Sequence, residues 1–172
     1  KVGGDGGTIR ATANFSSSLA MTLSGTGVDA ATFDTNGNNI ALSGALGGAG
    51  GLIKDGAGTL TLSGLNPYTG GTVIHDGILE VSGSGGGQCR IRGSVTVNPG
   101  AELRLTGPDG SGFGWAGSAS PSQRVDTLNI VDGLVNAGNV HLYYASVNMT
   151  GGQFNVNGQF GNVAVNTLAS AN

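Results

Sequence analysis

The sequence predicts an all-β fold, specifically a right-handed, single-stranded parallel β-helix of about seven rungs with about 20 residues in each. Glycine supplies 35 of the 172 residues, and each glycine inside a helix costs about 0.5–1 kcal/mol, so long α-helices are disfavoured. A short apolar phrase recurs at a nearly constant spacing. Apolar and polar residues alternate within the phrase, which is typical of strands with one buried face.

The strand element is the phrase apolar-x-apolar-Ser/Thr-Gly. Its closing glycine advances by 19, 20, 19 and 24 residues through Gly25, Gly44, Gly64, Gly83 and Gly107. A unit of this size cannot bury its own apolar stripe, so successive units are expected to stack into one continuous core. The predicted inward ladder consists of Met21, Leu23, Ile40, Leu42, Leu60, Leu62, Leu79, Val81, Leu103, Leu105, Val135, Ala137, Phe154 and Val156.

The turn element precedes most copies of the strand phrase and ends in glycine. The turn glycines are Gly37, Gly56, Gly77, Gly100, Gly133 and Gly152. The residue before each of them is Asn, Asp, Pro or Gly, the residue types that allow or preset a tight turn with positive φ. Residues midway between the inward pairs are expected to face water, so Glu80 and Arg104 are predicted to pair on adjacent rungs.

A loop insertion at 107–124 explains the one long interval within this single domain, 1–172. It carries Phe113 and the single tryptophan, Trp115, on a Gly/Ser-rich background. Loops on a rigid solenoid are frequent binding sites, and an exposed tryptophan is a frequent interface anchor. The alternative is that Trp115 folds back over an outer sheet face.

Composition limits the partners and cofactors. The net charge is −3 and the seven Lys/Arg are scattered, so no nucleic-acid or anionic-membrane surface is expected. No apolar run approaches the roughly 18 residues of a membrane span. A single cysteine, Cys89, excludes an intrachain disulfide framework, and with two histidines the chain lacks ligands for a Cys/His metal cluster. No cofactor is predicted.

Residues 51–83 resemble the autotransporter-associated β-strand repeat, also called the passenger-associated transport repeat. The resemblance rests on the run Lys54-Asp55-Gly56-Ala57-Gly58-Thr59-Leu60-Thr61-Leu62-Ser63-Gly64, then Asn66, Tyr68-Thr69-Gly70-Gly71-Thr72, and Gly77 with Leu79 and Val81. Pro67 stands where threonine is more usual. The resemblance implies a secreted, non-catalytic β-helical passenger or surface stalk of a Gram-negative-type bacterium.

Candidate catalytic groups favour structural interpretations. Asp55, Asp76 and Asp132 precede turn glycines and are expected to form a row of turn formers, whereas a polysaccharide lyase or hydrolase needs converging carboxylates beside a basic column. His75 and His141 are far apart, in or beside strands. Cys89 is interpreted as a loop cysteine, although Arg90 beside it favours a lower thiol pKa.

The sequence thus predicts a structural rod at the bacterial surface or outside the cell. If the 172 residues form the complete mature subunit, unpaired end rungs predict head-to-tail stacking into a fibre. If they are part of a longer chain, neighbouring rungs cap them. An adhesin that binds glycan or host protein through an outer face or the 107–124 loop is the alternative, and a carbohydrate-active enzyme is less favoured.

Overall fold

The computed structural model describes residues 7–82, 91–107, 125–138, 140–141, 146–158, 160–161 and 168–170. Within these ranges the chain forms nineteen β-strands and one single-turn 3-10 helix, Gly27–Asp29. Paired strands run parallel, each beside a strand of the next coil of chain. The predicted all-β, parallel solenoid is therefore confirmed, while its right-handed sense stays a prediction.

Two long sheets form opposite walls of the solenoid, and each coil contributes one strand to each wall. The eight strands of sheet A are β1 (Thr8–Arg10), β4 (Ala31–Asp34), β7 (Leu52–Asp55), β9 (Thr72–Ile74), β11 (Gly93–Val97), β13 (Val125–Ile130), β16 (Ser146–Met149) and β19 (Leu168–Ser170). The seven strands of sheet B are β2 (Phe15–Ser17), β5 (Ile40–Leu42), β8 (Thr59–Leu62), β10 (Ile78–Val81), β12 (Glu102–Leu105), β14 (Leu134–Ala137) and β17 (Gln153–Val156).

The third side of the coil is mostly irregular. It carries two short parallel pairs, β3 (Met21–Thr22) with β6 (Leu46–Gly47), and β15 (Val140–His141) with β18 (Phe160–Gly161). Backbone hydrogen bonds between coils continue outside the strands, for example from Tyr68 N to Leu46 O at 3.1 Å. The coils therefore remain in register on all three sides.

The core lies between the two long sheets and is built from columns of register partners. One inward column of sheet B contains Phe15, Ile40, Leu60, Leu79, Leu103, Val135 and Phe154. Its members from Ile40 to Val135 are fully buried, whereas Phe154 is partly buried and packs against the core. Burying each such side chain contributes about 1.5–3 kcal/mol, which makes the ladder the main favourable term.

The first coil differs from the predicted ladder. The sequence pattern put Met21 and Leu23 in the same column pair as Ile40 and Leu42, but Phe15 is the register partner of Ile40. Met21 instead pairs with Leu46 on the third side, where Leu23 is also buried. The pattern misled because the phrase is not specific to sheet B, and because this coil is lengthened to 25 residues between register partners.

Glycine permits the close stacking of coils at the corners. A Cβ added to Gly64 would lie 2.5 Å from the carbonyl oxygen of Gly44 in the coil before. Any larger residue there would push two coils apart, because real Cβ atoms do not approach a backbone oxygen so closely. The high glycine content therefore serves the spacing between coils as well as the turns.

Candidate functional site

A lysine lies inside the solenoid, at the turn that connects sheet A to sheet B. Lys54 occupies an inward position of β7 and is fully buried. Its register partners in the neighbouring coils are Phe33 and Ile74, which are also fully buried. The lysine stem therefore takes the place of an aliphatic core residue, and its charged head must find polar partners without water.

Oxygen atoms from three successive coils supply those partners. The Nζ atom of Lys54 donates to Thr35 Oγ1 of the preceding coil at 3.2 Å and to Asp76 O of the following coil at 2.9 Å. Within its own coil it donates to Asp55 O at 3.0 Å and to Gly56 O at 2.6 Å. One ammonium group thus links the turns of three successive coils, whereas each backbone hydrogen bond links only two.

Burial controls the ionisation of this lysine. Desolvation lowers the pKa of Lys54 from 10.5 to about 8, against the opposing charges of Asp76, Asp55 and Asp34. The group therefore remains mostly an ammonium at neutral pH, although burial makes it easier to deprotonate than a lysine in water. A buried charge of this kind is tolerated because carbonyl dipoles surround it.

A second buried polar network lies on the third side of the same two coils. The side chain of Asn66 accepts a hydrogen bond from Leu46 N at 3.1 Å and donates one to Gly64 O at 2.9 Å. The hydroxyl of Tyr68, which is fully buried, lies 2.6 Å from Thr72 Oγ1. Burial raises the pKa of Tyr68 well above its ordinary value. Asn66 thus satisfies two backbone groups on the irregular side, and the buried hydroxyls of Tyr68 and Thr72 satisfy each other.

The outer face of sheet B carries an ion-pair cluster. Arg104 binds Glu102 through Nε–Oε1 and Nη2–Oε2, both at 3.0 Å, and its Nη1 lies 3.7 Å from Glu80 Oε2. Glu80 and Arg104 are register partners on adjacent coils, so the predicted pairing is confirmed. Burial opposes ionisation of Glu102, but hydrogen bonds from Arg104 and Asn136 and the charge of Arg104 prevail, and its pKa lies below the ordinary value.

Asparagine side chains continue these outer faces as ladders. On sheet B, Asn136 donates to Glu102 Oε1 at 2.9 Å and accepts from Asn155 at 2.9 Å. On sheet A, Asn148 donates to Asn129 Oδ1 at 2.9 Å. Stacked amides of this kind recur at the same spacing as the strands, and each link adds a modest cross-coil contact.

Comparison with protein families singles out one part of the solenoid. A model of the passenger-associated-transport-repeat family matches residues 52–81. We call residues 52–81 the transport repeat, after the family model that matches them. The predicted resemblance is thereby confirmed, and the repeat contains Lys54, Asn66, Tyr68 and Thr72, the side chains that make the two buried polar networks.

Curated relatives of the chain are autotransporter or secreted proteins. Over 103 residues, 59% of this chain, the sequence is 43% identical to the adhesin BmaC autotransporter of Brucella suis biovar 1 (strain 1330). Over 101 residues, 58% of this chain, it is 33% identical to the extracellular serine protease of Serratia marcescens. The aligned stretches amount to 3% and 8% of the lengths of these two relatives.

Buried side chains of the transport repeat complete hydrogen bonds at this corner. Asn66 bonds to Leu46 N and Gly64 O, and the hydroxyls of Tyr68 and Thr72 bond to each other. Lys54 was assigned from the sequence to the repeat motif, and the burial of its side chain between coils was not predicted. The alternation along the strand indicated this burial, because Lys54 follows Leu52 by two residues and therefore points to the same, inward face.

Most of the predicted turn glycines adopt the conformation expected of them. Gly37, Gly56, Gly77, Gly100 and Gly152 have φ between 65° and 79°. At the remaining turn, Asp132 takes the left-handed conformation with φ 53°, and Gly133 does not. Gly133 is required for a different reason, because a Cβ there would lie 2.6 Å from Val97 Cγ1 and 2.8 Å from Val97 O.

The predicted row of aspartates is not formed as expected. Asp55 is the register partner of Asp34, and it lies level with His75 because Lys54 is paired with Ile74. Asp76 therefore lies one position further along its turn. Asp55 Oδ1 and Asp76 Oδ1 each accept the N–H of the following glycine, at 2.9 and 2.7 Å, which is how turn formers act.

Several predicted residues lie outside the described residues: Phe113, Trp115, Cys89 and the insertion from position 108 onward. The described ranges contain no group of three or more His, Cys, Asp or Glu arranged to hold a metal ion. Among the same residues no helix has the length and apolar character needed to cross a membrane.

Proposed function

We propose that the chain is a structural, non-catalytic rod segment of a secreted or surface-displayed autotransporter passenger. The observation that supports it best is the location of the transport-repeat residues. Lys54 and Asn66 are buried and bond to backbone groups of neighbouring coils, and Tyr68 is buried with its hydroxyl bonded to Thr72, so these residues of the matched repeat serve the core and the stacking of coils. Residues kept for substrate chemistry would instead line an accessible cleft.

The carboxylates of the described coils support the absence of catalysis in this proposal. Asp55 and Asp76 bond to the backbone of their own turns, and Glu102 is held by Arg104. A glycosidase needs two carboxyl groups that face each other across a substrate. The protease activity named for the Serratia marcescens relative is a property of that protein, of which 8% aligns with this chain.

Surface display of matched variants tests the rod proposal. The chain is joined to a β-barrel translocator in a Gram-negative host, and intact cells are treated with protease. The wild type is expected to reach the surface and resist digestion. Leu79→Asp, which places a charge in the core ladder, is expected to be digested, whereas Ala41→Asp on the exposed outer face of β5, beside uncharged register partners, is expected to behave like the wild type. Equal resistance of both variants would contradict the proposal.

End-to-end stacking of the 172-residue chain is a further part of this proposal. If the 172 residues form the complete mature subunit, parallel end strands would offer unpaired N–H and C=O groups, and pairing between copies would propagate along the axis. Sedimentation velocity over a hundredfold range of concentration is expected to show growing species. A single monomer boundary at every concentration would remove this part and leave the rod proposal intact.

An adhesive role is the second candidate, favoured by the 43% identity to a protein named as an adhesin. On this proposal an outer face or the 107–124 loop binds a surface glycan or protein. Deleting residues 108–124 is expected to reduce attachment of displayed cells if the loop is responsible. Unchanged attachment would assign the role to an outer face.

A further inference from the structure

A groove opens on the outer side of the solenoid where sheet B meets the turns of three successive coils. Its volume is about 370 Å³, within the range of roughly 300–1,000 Å³ that is usual for small-molecule sites. Glu102, Leu134 and Gln153 line it and are register partners on successive strands. Because adjacent strands lie about 4.8 Å apart, these three side chains extend over about 10 Å along the axis.

Glycine forms the floor of this groove. Gly133 and Gly152 line its floor, and the space where either would carry a Cβ is already filled by the preceding coil. For Gly133 the obstructing atoms belong to Val97, and for Gly152 they belong to Gly133 and Asp132. The floor is therefore bare backbone in the folded rod, and the groove does not depend on a side-chain rearrangement.

The lining groups are arranged for hydrogen bonding to an uncharged, hydroxyl-rich molecule. The carboxylate of Glu102 is held by hydrogen bonds from Arg104 and Asn136, and the guanidinium of Arg104 balances its charge. Glu102 offers acceptors at one end, and the exposed amide of Gln153 offers a donor and an acceptor at the other, while Asp132 adds an exposed carboxylate on the coil between them. Leu134 between them offers a half-buried apolar surface.

We propose that this groove binds a neutral glycan, with two linked sugar rings along the rod axis. Sugar hydroxyls would donate to Asp132 and Glu102 and exchange hydrogen bonds with the amide of Gln153, while the C–H face of a ring packs on Leu134. A divalent cation is disfavoured because the groove lacks three ligating acids in the described residues. An anionic ligand is disfavoured by the two carboxylates. The proposal extends the adhesive role and does not depend on the 107–124 loop.

Amide chemical shifts of the full 172-residue chain test the proposal. The probes are cellobiose, maltose and N,N′-diacetylchitobiose at up to 20 mM. A tetralysine peptide tests the alternative that the groove binds a cationic ligand. At least one disaccharide is expected to shift the amides of residues 102, 132–134 and 152–153 in a saturable manner. No saturable shift with any of the three, or stronger binding of tetralysine at the same residues, would overturn the proposal.

Matched variants assign the binding to the groove. Asp132→Asn keeps a residue that tolerates positive φ, and it is expected to weaken disaccharide binding about tenfold because a charged acceptor is lost. Asp76→Asn is the matched control. Asp76 also stands directly before a turn glycine but does not line the groove, so this substitution is expected to leave binding unchanged. Equal affinity of Asp132→Asn and wild type would contradict the proposal. An unchanged, dispersed spectrum in each variant shows that the rod is folded, so loss of binding is distinguished from loss of the fold.

Discussion

The transport repeat at 52–81 and the coils at 125–156 share one backbone geometry but are stabilised differently. In and beside the repeat, Thr35, Lys54, Asn66 and Thr72 are buried and polar. The side chains of Thr35, Lys54 and Asn66 join neighbouring coils from inside, and that of Thr72 bonds to Tyr68. In the described coils from 125 to 156 the buried side chains are apolar, and polar links such as Asn155–Asn136 lie on the outer faces.

This difference explains why the family model matches one region. A buried polar group must meet particular partners at particular distances, so few residue types satisfy each position. An outward asparagine or a buried aliphatic is easily exchanged for a similar residue. The region that the family model matches is thus the region with the buried side-chain hydrogen bonds, while the later coils keep the same geometry without them in the described residues.

The largest expected effect is the loss of the buried tyrosine. Tyr68→Ala is expected to lower the free energy of unfolding by about 4 kcal/mol, because an aromatic side chain is replaced by a cavity. Tyr68→Phe keeps the ring and loses the bond to Thr72, so about 1 kcal/mol is expected. Urea unfolding followed by circular dichroism measures both. Equal losses would show that the hydrogen bond, rather than packing, dominates this corner.

The second effect concerns the lysine that joins three coils. Lys54→Met retains an unbranched stem but removes the donor to Gly56 O and Asp76 O in buried turns, and a loss of about 3 kcal/mol is expected. Ile74→Met is the control in the same column of the next coil, with less than about 1.5 kcal/mol expected. If both substitutions cost the same, the ammonium contributes nothing beyond its stem.

The third effect is a pH dependence carried by the same lysine. Its pKa is lower in the folded chain than in the unfolded chain, so the unfolded state binds more protons between pH 8 and 10.5 and stability rises with pH there. The expected gain from pH 8 to pH 10 is about 2 kcal/mol in the wild type and none in Lys54→Met. Above pH 10, Tyr68 acts in the opposite direction, because its raised pKa favours ionisation of the unfolded chain. Parallel pH profiles of the two proteins would refute this assignment.

The smallest effect is expected on the outer ladder. Asn155→Ala removes one exposed amide bond to Asn136 and is expected to cost about 0.5 kcal/mol or less. Asn66→Ala makes the same chemical change inside, where Leu46 N and Gly64 O lose their partner, and about 2 kcal/mol is expected. A loss at Asn155 as large as that at Asn66 would remove the distinction between the two regions.

Much of the fold follows from periodicity. Alternation and spacing predicted the inward columns from Ile40 onward and the Glu80–Arg104 pair, because each depends on residues that repeat at nearly equal intervals. The first coil was assigned to the wrong column, because a local phrase such as that at Met21 does not specify which side of the coil it occupies. Long-range register, set by the unequal lengths of the turns, decides that.

The candidate site was less accessible to sequence reasoning. Lys54 was recognised as a motif residue, but its burial depends on backbone oxygens of three coils, which no local pattern displays. The groove at Glu102, Leu134 and Gln153 depends on the register of three strands separated by an insertion. Such sites become visible once the coils are stacked.

Native-state hydrogen exchange tests most directly whether the two regions are stabilised differently. Amides of the transport repeat, such as Tyr68 N bonded to Leu46 O, are expected to exchange only through global unfolding. Amides of the later coils, such as Gln153 N bonded to Gly133 O, are expected to exchange through smaller local openings, at least tenfold faster. Equal protection in both regions, or higher protection at 125–156, would contradict the account.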